Sequence, residues 1–523
     1  MAPRFLTSLI PHRGRFESGQ PLMQVLRGLT WLQWGHFIAG YIAWTSDAID
    51  FFSVSLSVSH LKTQFNRNSV SDITTAITLT LLLRTAGAVR TLFHKHFVAE
   101  FYLFDGYAIG SASFQVIFGI LGDRFGRKWP LVANLLVVAA LELGSGFVQT
   151  FHQFLAVRSL FGIAMGGVWG LASSGALENL PVEVRGLASG VLQQAYAVGY
   201  LIAAVINLYL VPEVSAGWRS LFWTGAGISL FAAVLRALLP ESDLFLRAKA
   251  VQDAAGVSAK KQTSIFIKET REMLKRHWLL CIYAICLMSG LNFLAHGSQD
   301  LYPTYLQVSK GMSDHDATVA TIIGNCGAIA GGAIAGFSSQ YIGRRLTILY
   351  GILILSIGAF IPLWILPTGF SALAAGAFWI QFCVQGALGV IPIQLAEMSP
   401  PAFRATFPGV VYQLGNMVSS ASAQIEATGG NHLKTTLPGK TDLVPDYATV
   451  QGILVGAVAA FVVVVVIIGP ENHGFHFERY KTAFVEGGGR DEELSEDRDS
   501  SFSEIEKASS SRPPSLTVEK EAV

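Results

Sequence analysis

Residues 119–128 read Gly119-Ile-Leu-Gly-Asp123-Arg124-Phe-Gly126-Arg127-Lys128, and 217 positions later the chain reads Gly336-Phe-Ser-Ser-Gln340-Tyr-Ile-Gly343-Arg344-Arg345. A second pattern recurs at nearly the same distance. Glu178-x-x-Pro181-x-x-x-Arg185 returns as Glu397-x-x-Pro400-x-x-x-Arg404, and Gly190 and Gln194 return as Gly409 and Gln413, each 219 positions on. Two patterns sharing one long period mark a duplicated unit. In membrane folds built from such repeats, the working residues sit at the interface between the two copies.

The rest of the sequence fits a membrane interior. Of 523 residues, 51% are hydrophobic and 14% charged, with a mean hydropathy of +0.46, too apolar for an ordinary soluble domain. Apolar runs of about 20 residues, enough to cross about 30 Å of hydrocarbon, predict helices near 35–58, 72–121, 130–149, 154–176, 187–211, 218–239, 278–302, 317–341, 346–367, 371–395, 406–427 and 449–469. The fold class is therefore an all-α membrane protein of twelve transmembrane helices in two six-helix repeats.

Arg and Lys sort by side. Arg124, Arg127, Lys128, Arg185, the basic stretch 240–277, Arg344, Arg345 and Arg404 fall in loops on the side of the termini, while the opposite loops hold few. The positive-inside rule then puts both termini in the cytoplasm. The expected organisation is a cytoplasmic segment 1–34, a six-helix bundle 35–239, a cytoplasmic linker 240–277, a second bundle 278–473, and a disordered acidic and Ser-rich tail 474–523. No apolar core precedes residue 30, so no cleavable signal is expected. The near-zero net charge of +1 excludes a nucleic-acid partner of the usual basic kind. Cys281, Cys286, Cys326 and Cys383 lie in apolar runs without ligand spacing, so no metal site or disulfide framework is expected. Neither an activated nucleophile nor a phosphate-binding loop is visible. No cofactor and no enzymatic activity are expected.

The loop motif Gly119 to Lys128 resembles the signature of the major facilitator superfamily, as do Arg158-x-x-x-Gly162-x-x-x-Gly166 and Pro470-Glu471, over about residues 35–480. Within it, Asn292-x-x-Ala295-His296-x-Ser298-Gln299-Asp300-x-x-x-Thr304 resembles the signature of fungal monocarboxylate (lactate/pyruvate) proton symporters, in the sialate:proton symporter-like group. Ala295 departs from it, since that pattern has Ser or Thr there. Trp44-Thr-Ser-Asp47-Ala-Ile-Asp50-Phe-Phe and Gly122 to Leu131 are similar to that family too. The resemblance implies proton-coupled uptake of short carboxylates across the plasma membrane. It also carries Ser298 and Gln299 into the substrate site.

One stretch interrupts the second helix. Arg90, His94, Lys95, His96, Glu100 and Asp105 cannot cross as part of one span, at about 2.5–3.5 kcal/mol for each charge at a helix centre. Deleting 89–115 leaves a helix of about 23 residues, a normal span. Residues 89–115 are read as a retained intron, with a genuine loop or reentrant element as the alternative.

Several polar side chains remain inside the spans. Arg84, near mid-membrane, is suited to a bidentate grip on a carboxylate, or else to a structural pair with Asp47 or Asp50. Asn292, His296 and Asp300 fall four apart and stack on one helical face, a stripe able to orient a carboxylate and to titrate near physiological pH. Asp47 and Asp50 are candidate proton relays or helix-pairing groups. Gln194, Gln413 and Asn416 either line a central cavity or join helices. Gly119, Asp123, Arg124, Gly126, Arg127, Lys128, Glu178, Arg185, Glu397 and Arg404 form candidate conformational gates, with Gln340 replacing the acid in the second copy. A carrier of another solute, such as a sugar, phosphate or sialic acid, would keep the fold and the loop signatures without requiring Arg84 or the His296 stripe, and a non-transporting nutrient receptor would keep the binding site but lose alternating access. The preferred acid, the direction of flux and the oligomeric state stay open.

Overall fold

The computed structural model describes residues 22–67, 69–89, 126–177, 179–241, 246, 259–350, 360–403, 406–437, 442–471 and 487–491, with the side chains at 84–89, 182, 259–263 and 401 excepted. Twelve helical spans can be followed. The first half contributes Trp31–Leu56, Val70–Val89, Lys128–Ser145, Phe151–Met165 with Val168–Leu177, Val182–Gln193 with Ala195–Tyr209, and Arg219–Leu238. The second half contributes the helix Ala259–Gln299 with Tyr302–Val308, then Asp314–Ile342, Arg344–Leu349 with Ile361–Ile365, Phe370–Gly389 with Ile391–Met398, Thr406–Ser419 with Ser422–His432, and Tyr447–Ile468. A two-stranded antiparallel ribbon, Lys434–Thr436 with Leu443–Pro445, joins the last two spans. The interrupting stretch 89–115 lies outside the described residues, apart from the helical backbone of Val89.

Eight of the described helices are long and apolar enough to cross a membrane on that ground alone. The first and eleventh spans are not among them. The first carries His36, Asp47 and Asp50, and the eleventh carries Gln413, Asn416, Gln424 and Glu426, all but Gln424 buried inside the bundle. Polarity is tolerated in a span when protein rather than lipid surrounds it.

Local chemistry sets the helix ends. Thr30 and Thr150 open the first and fourth spans with capping boxes to Gln33 and Gln153. Gly126 and Gly343, equivalent in the repeat, take φ of 92° and 93°, a backbone region that disfavours any side chain. Each is followed by a helix whose first amides meet a carboxylate from another span. Lys128 N donates to Glu241 Oε2 at 3.0 Å, and Arg344 N and Arg345 N donate to the two oxygens of Glu471, each at 3.0 Å. Pro240-Glu241 and Pro470-Glu471 are thus one motif in two copies, each holding a negative charge against a helix N-terminus. Arg344 also grips Glu397 with two hydrogen bonds of 3.0 and 3.1 Å. The acid that Gln340 replaces is supplied to this loop by Glu397 and Glu471.

The two halves meet at both ends of the bundle. At the near end, where the first span begins, Ser189 Oγ donates to the Gly389 carbonyl at 3.2 Å and Gln340 Nε2 to the Glu183 carbonyl at 3.2 Å. There the fifth and eighth spans touch backbone to backbone: a Cβ on Gly336 would stand 2.6 Å from the Gly190 Cα. At the far end Ser59 Oγ donates to Gln307 Oε1 at 2.7 Å, Thr74 Oγ1 to Gln424 Oε1 at 2.7 Å, and Asn431 Nδ2 to Ser69 Oγ at 3.1 Å. Among the described residues the conformation is closed at both ends.

A second compact unit comprises Val257–Trp278, Pro400–Phe403 and His476–Val523. Its helical backbone leaves the helical region at His277, φ −111°. Residues 487–491 dock on that helix: Gly489 N donates to the buried Glu269 carboxylate at 2.9 Å, and His277 Nε2 lies 2.9 Å from Asp491 Oδ2. The rest of the tail lies outside the described residues.

The glycine contact yields a test of near-end closure. Gly336→Val should hold the fifth and eighth spans apart. In a Ser189→Cys background, a small membrane-permeant maleimide should then label position 189, while the same cysteine beside Gly336 stays protected.

Candidate functional site

Five spans break where they cross the interior, at Gly166-Gly167, Gln194, Asp300-Leu301, Val390 and Ser420-Ala421. Irregular backbone at membrane depth is tolerated only where protein or a cavity covers it. At these breaks the two halves exchange hydrogen bonds. Gln194 Nε2 of the fifth span donates to the Gln385 carbonyl of the tenth at 3.2 Å, and Gln413 Nε2 of the eleventh donates to the Gly166 carbonyl of the fourth at 2.9 Å. Donors and acceptors are each 219 positions apart, so these are one interaction repeated by the internal symmetry. Beside it, Trp169 stacks on Tyr412 with ring centroids 4.2 Å apart, another contact between the halves.

The second of these bonds orients a longer chain. A carbonyl only accepts, so Gly166 fixes the Gln413 amide with its NH2 outward and its Oε1 free to accept from Asn416 Nδ2, at 3.0 Å. Asn416 Oδ1 then faces His296 Nε2 at 3.4 Å, and His296 Nδ1 lies 3.1 and 3.2 Å from the Asp300 carboxylate oxygens. Both ring nitrogens point at acceptors. A neutral imidazole donates from only one ring nitrogen, to Asp300 or to Asn416, and a protonated ring can donate to both. The seventh helix does not end at 302: it breaks at Leu301 and continues as Tyr302–Val308. His296 and Asp300 consequently lie well inside the span and are buried.

Other residues singled out in the sequence gather around this chain. Asn292 Nδ2 donates to the Tyr412 carbonyl at 3.3 Å. Ser298 Oγ accepts from Gln381 Nε2 at 3.0 Å, and Gln299 Oε1 from Gln385 Nε2 at 3.2 Å. Tyr200, Ser298, Gln299, Tyr302, Asn325 and Gln381 line a cavity of about 10 Å³, room for about one water. Gln299 Nε2, Asn325 Oδ1 and Gln381 Oε1 are buried there without a hydrogen-bond partner among the described residues.

The first half holds a separate charge cluster. Asp47, Asp50, Glu142 and Arg158 are all fully buried. Arg158 Nη1 pairs with Glu142 Oε2 at 2.6 Å, its Nη2 donates to the Asp50 carbonyl at 3.3 Å, and its guanidinium lies 3.9 Å from the Phe161 ring centroid. Asp50 Oδ2 accepts from Ser229 Oγ at 2.6 Å. Arg84 belongs to the helical backbone of the second span, but its side chain lies outside the described residues.

Of the gate residues, Gly119, Asp123, Arg124, Glu178 and Arg404 lie outside the described residues. Lys128 and Glu397 make the helix-end contacts above, Gly126 takes the positive φ that precedes Lys128, and Arg185 Nε donates to the Leu180 carbonyl at 2.9 Å. Among the described residues no group of three His, Cys, Asp or Glu side chains is placed to hold a metal. Reading the sequence passed over Glu142, Glu426, Asn325, Gln381 and Gln385. A lone carboxylate in an apolar run and a Gln pair four apart were the available signals.

The buried Glu142–Arg158 pair sets a stability test. Glu142→Ala leaves the guanidinium buried without its partner, at a cost of about 3–5 kcal/mol. The double change Glu142→Ala with Arg158→Met should recover most of the thermal stability of the detergent-solubilised protein.

A family model described as Sugar (and other) transporter matches residues 21–484. A carboxylic acid transporter protein homolog from Saccharomyces cerevisiae is 35% identical over 491 residues, covering 90% of this chain and 73% of that one. The cis,cis-muconate transport protein of Acinetobacter baylyi is 24% identical over 401 residues, covering 76% of this chain and 88% of its own. Among solved structures, the xylose transporter XylE from E. coli, in a partially occluded inward open conformation, superposes with a TM-score of 0.61 at 16% identity. That match covers 86% of this chain and 100% of the other, a likeness of fold. The duplicated bundle, its closed centre and the family match agree: this chain is a membrane transporter, not an enzyme, and belongs to the sugar (and other) transporter family, with the fold of the major facilitator superfamily.

Proposed function

We propose that this transporter takes up short-chain monocarboxylates of the lactate, pyruvate and acetate class together with protons, by alternating access across the plasma membrane, with both termini cytoplasmic. The observation that carries the reading is the oriented chain from the Gly166 carbonyl through Gln413, Asn416 and His296 to Asp300. It ties a protonatable group to the contact between the two halves, so a proton and a closure step share one set of hydrogen bonds. Two relatives are named for acids, the yeast carboxylic acid transporter homolog and the muconate transport protein, which supports an acidic substrate. The one-sided distribution of Arg and Lys supports the orientation.

In this reading Arg84 on the second span supplies the cation for the substrate carboxylate. Asn292, Ser298, Gln299, Gln194, Gln413 and Asn416 supply hydrogen bonds, and His296, Asp300, Asp47 and Asp50 handle protons. The loop residues Gly119, Asp123, Arg124, Gly126, Arg127, Lys128, Glu178, Arg185, Glu397 and Arg404 release and remake the near-end contacts. The small cavity widens to admit substrate, since about 10 Å³ does not hold a carboxylic acid.

A second reading, a carrier of a neutral hydroxylated solute, draws support from that cavity, whose lining is uncharged. Substitutions at Arg84 separate the two. Arg84→Lys keeps the charge but loses the fork and should strongly reduce uptake of labelled lactate into vesicles; Arg84→Ala should abolish it with surface expression intact. His296→Ala should flatten the pH dependence of uptake while lactate exchange persists. Unchanged lactate uptake by Arg84→Ala would favour the neutral solute.

A further inference from the structure

The second half contains a buried carboxyl that the proposed mechanism leaves unused. Glu426 lies in Ser422–His432 of the eleventh span and is 0% exposed. Its Oε2 accepts from Gln451 Nε2 of the twelfth span at 2.9 Å, and its Oε1 has no hydrogen-bond partner among the described residues. A Cβ on Gly297 would stand 3.4 Å from Oε1, so the unpartnered oxygen faces the bare backbone beside His296.

Among the described side chains around Glu426, none compensates a negative charge there. The seventh span presents His296, already engaged with Asp300, and the field of Asp300 reaches Glu426 as like-charge repulsion. Tyr447 is the titratable residue of the twelfth span, the strand Leu443–Pro445 has none, and His432 ends Glu426's own helix. The second span, also packed against this helix, contributes Asp72 and Arg84. No cation meets Glu426 among the described side chains, and a carboxylate buried with one hydrogen bond is costly, whereas a neutral carboxylic acid is not. Gln451 serves both states. Its NH2 donates to the carboxylate; turned over, its Oε1, also without a partner here, accepts from the acid O–H.

We infer that Glu426 is the carboxyl that binds the co-transported proton, and that its neutralisation admits the anion. The inference rests on the proton–carboxylate reading above. An ionised Glu426 beside Asp300 repels a substrate carboxylate. An O–H bond formed at Glu426 with a proton from the far-end solution removes one of those charges, and the same bond breaks when the proton leaves at the near end. The order is proton first, anion second.

Two measurements on the full-length transporter test this. Infrared difference spectra of the purified protein between acid and alkaline buffer should show the carbonyl stretch of a neutral carboxylic acid, lost in Glu426→Gln. In reconstituted vesicles, Glu426→Gln should cut the stimulation of lactate uptake by an inward proton gradient by about tenfold or more, while lactate exchange continues. A variant with the wild-type infrared band, or with wild-type acid stimulation, overturns the inference. If Glu426→Gln does not accumulate, Glu426→Asp decides: a displaced band supports the assignment and an unmoved one overturns it. Wild-type uptake of lactate that ignores pH would remove the proposed function instead, and with it the coupling role of Glu426.

Discussion

The structure depends on one constraint: two bundles with apolar outer faces must hold together across a polar interior and still be able to part. A continuous greasy interface would fuse them, and a hydrated one would leave backbone groups at membrane depth without partners. The chain meets both demands with a few directional bonds, of which the pair from Gln194 to the Gln385 carbonyl and from Gln413 to the Gly166 carbonyl is the centre. A hydrogen bond between helices in a membrane contributes about 0.6–2 kcal/mol. Bonds of that size hold a closed state without making it irreversible.

The duplication explains why those bonds come as a pair, and it was largely legible. The loop repeat and the equivalence of Gln194 with Gln413 follow from spacing alone. What spacing does not give is the acceptor, because a backbone carbonyl has no sequence signature. The Pro-Glu motif was half visible: Pro470-Glu471 stands out, but Pro240-Glu241 acquires meaning only when Glu241 is seen against the Lys128 amide. The seventh span, predicted over 278–302, runs on to Val308, and the eleventh, predicted over 406–427, runs on to His432, because each helix breaks inside the membrane and resumes. Asp300 and Glu426, near the ends of the predicted ranges, are both buried. Arg84 was legible as a residue, while its side-chain surroundings are not described.

Scaffold symmetry does not extend to charge. The first half encloses Asp47, Asp50 and Glu142 with Arg158 locked on Glu142. The interior of the second half encloses Asp300, Glu426 and His296, with no Lys or Arg on the seventh span from Trp278 on, or on the eleventh or twelfth span. An Arg holds its charge at every accessible pH, so Arg158 is a fixed cation beside Glu142. A His can give up its proton, and a carboxyl with one neutral hydrogen bond, as at Asp50 and Glu426, can take one. The first half pairs a buried carboxyl with an arginine, the second with a histidine.

That asymmetry gives direction to a machine whose framework is nearly two-fold. If both halves carried the same titratable set, protonation would bias the near-end and far-end contacts alike, and a ligand that favours two states equally shifts neither. Here the protonatable chain ends on the fourth span through Gln413, whereas its symmetry mate, Gln194 to Gln385, continues from Gln385 Nε2 to Gln299 Oε1, a neutral amide. In the proposed mechanism, a His296 that keeps its proton on Nδ1 alone leaves Nε2 and Asn416 Oδ1 as two acceptors with nothing between them. Turning the Asn416 amide relieves that contact, takes the donor from Gln413 Oε1 and loosens that amide from Gly166. The proton then acts on that one of the two cross-links.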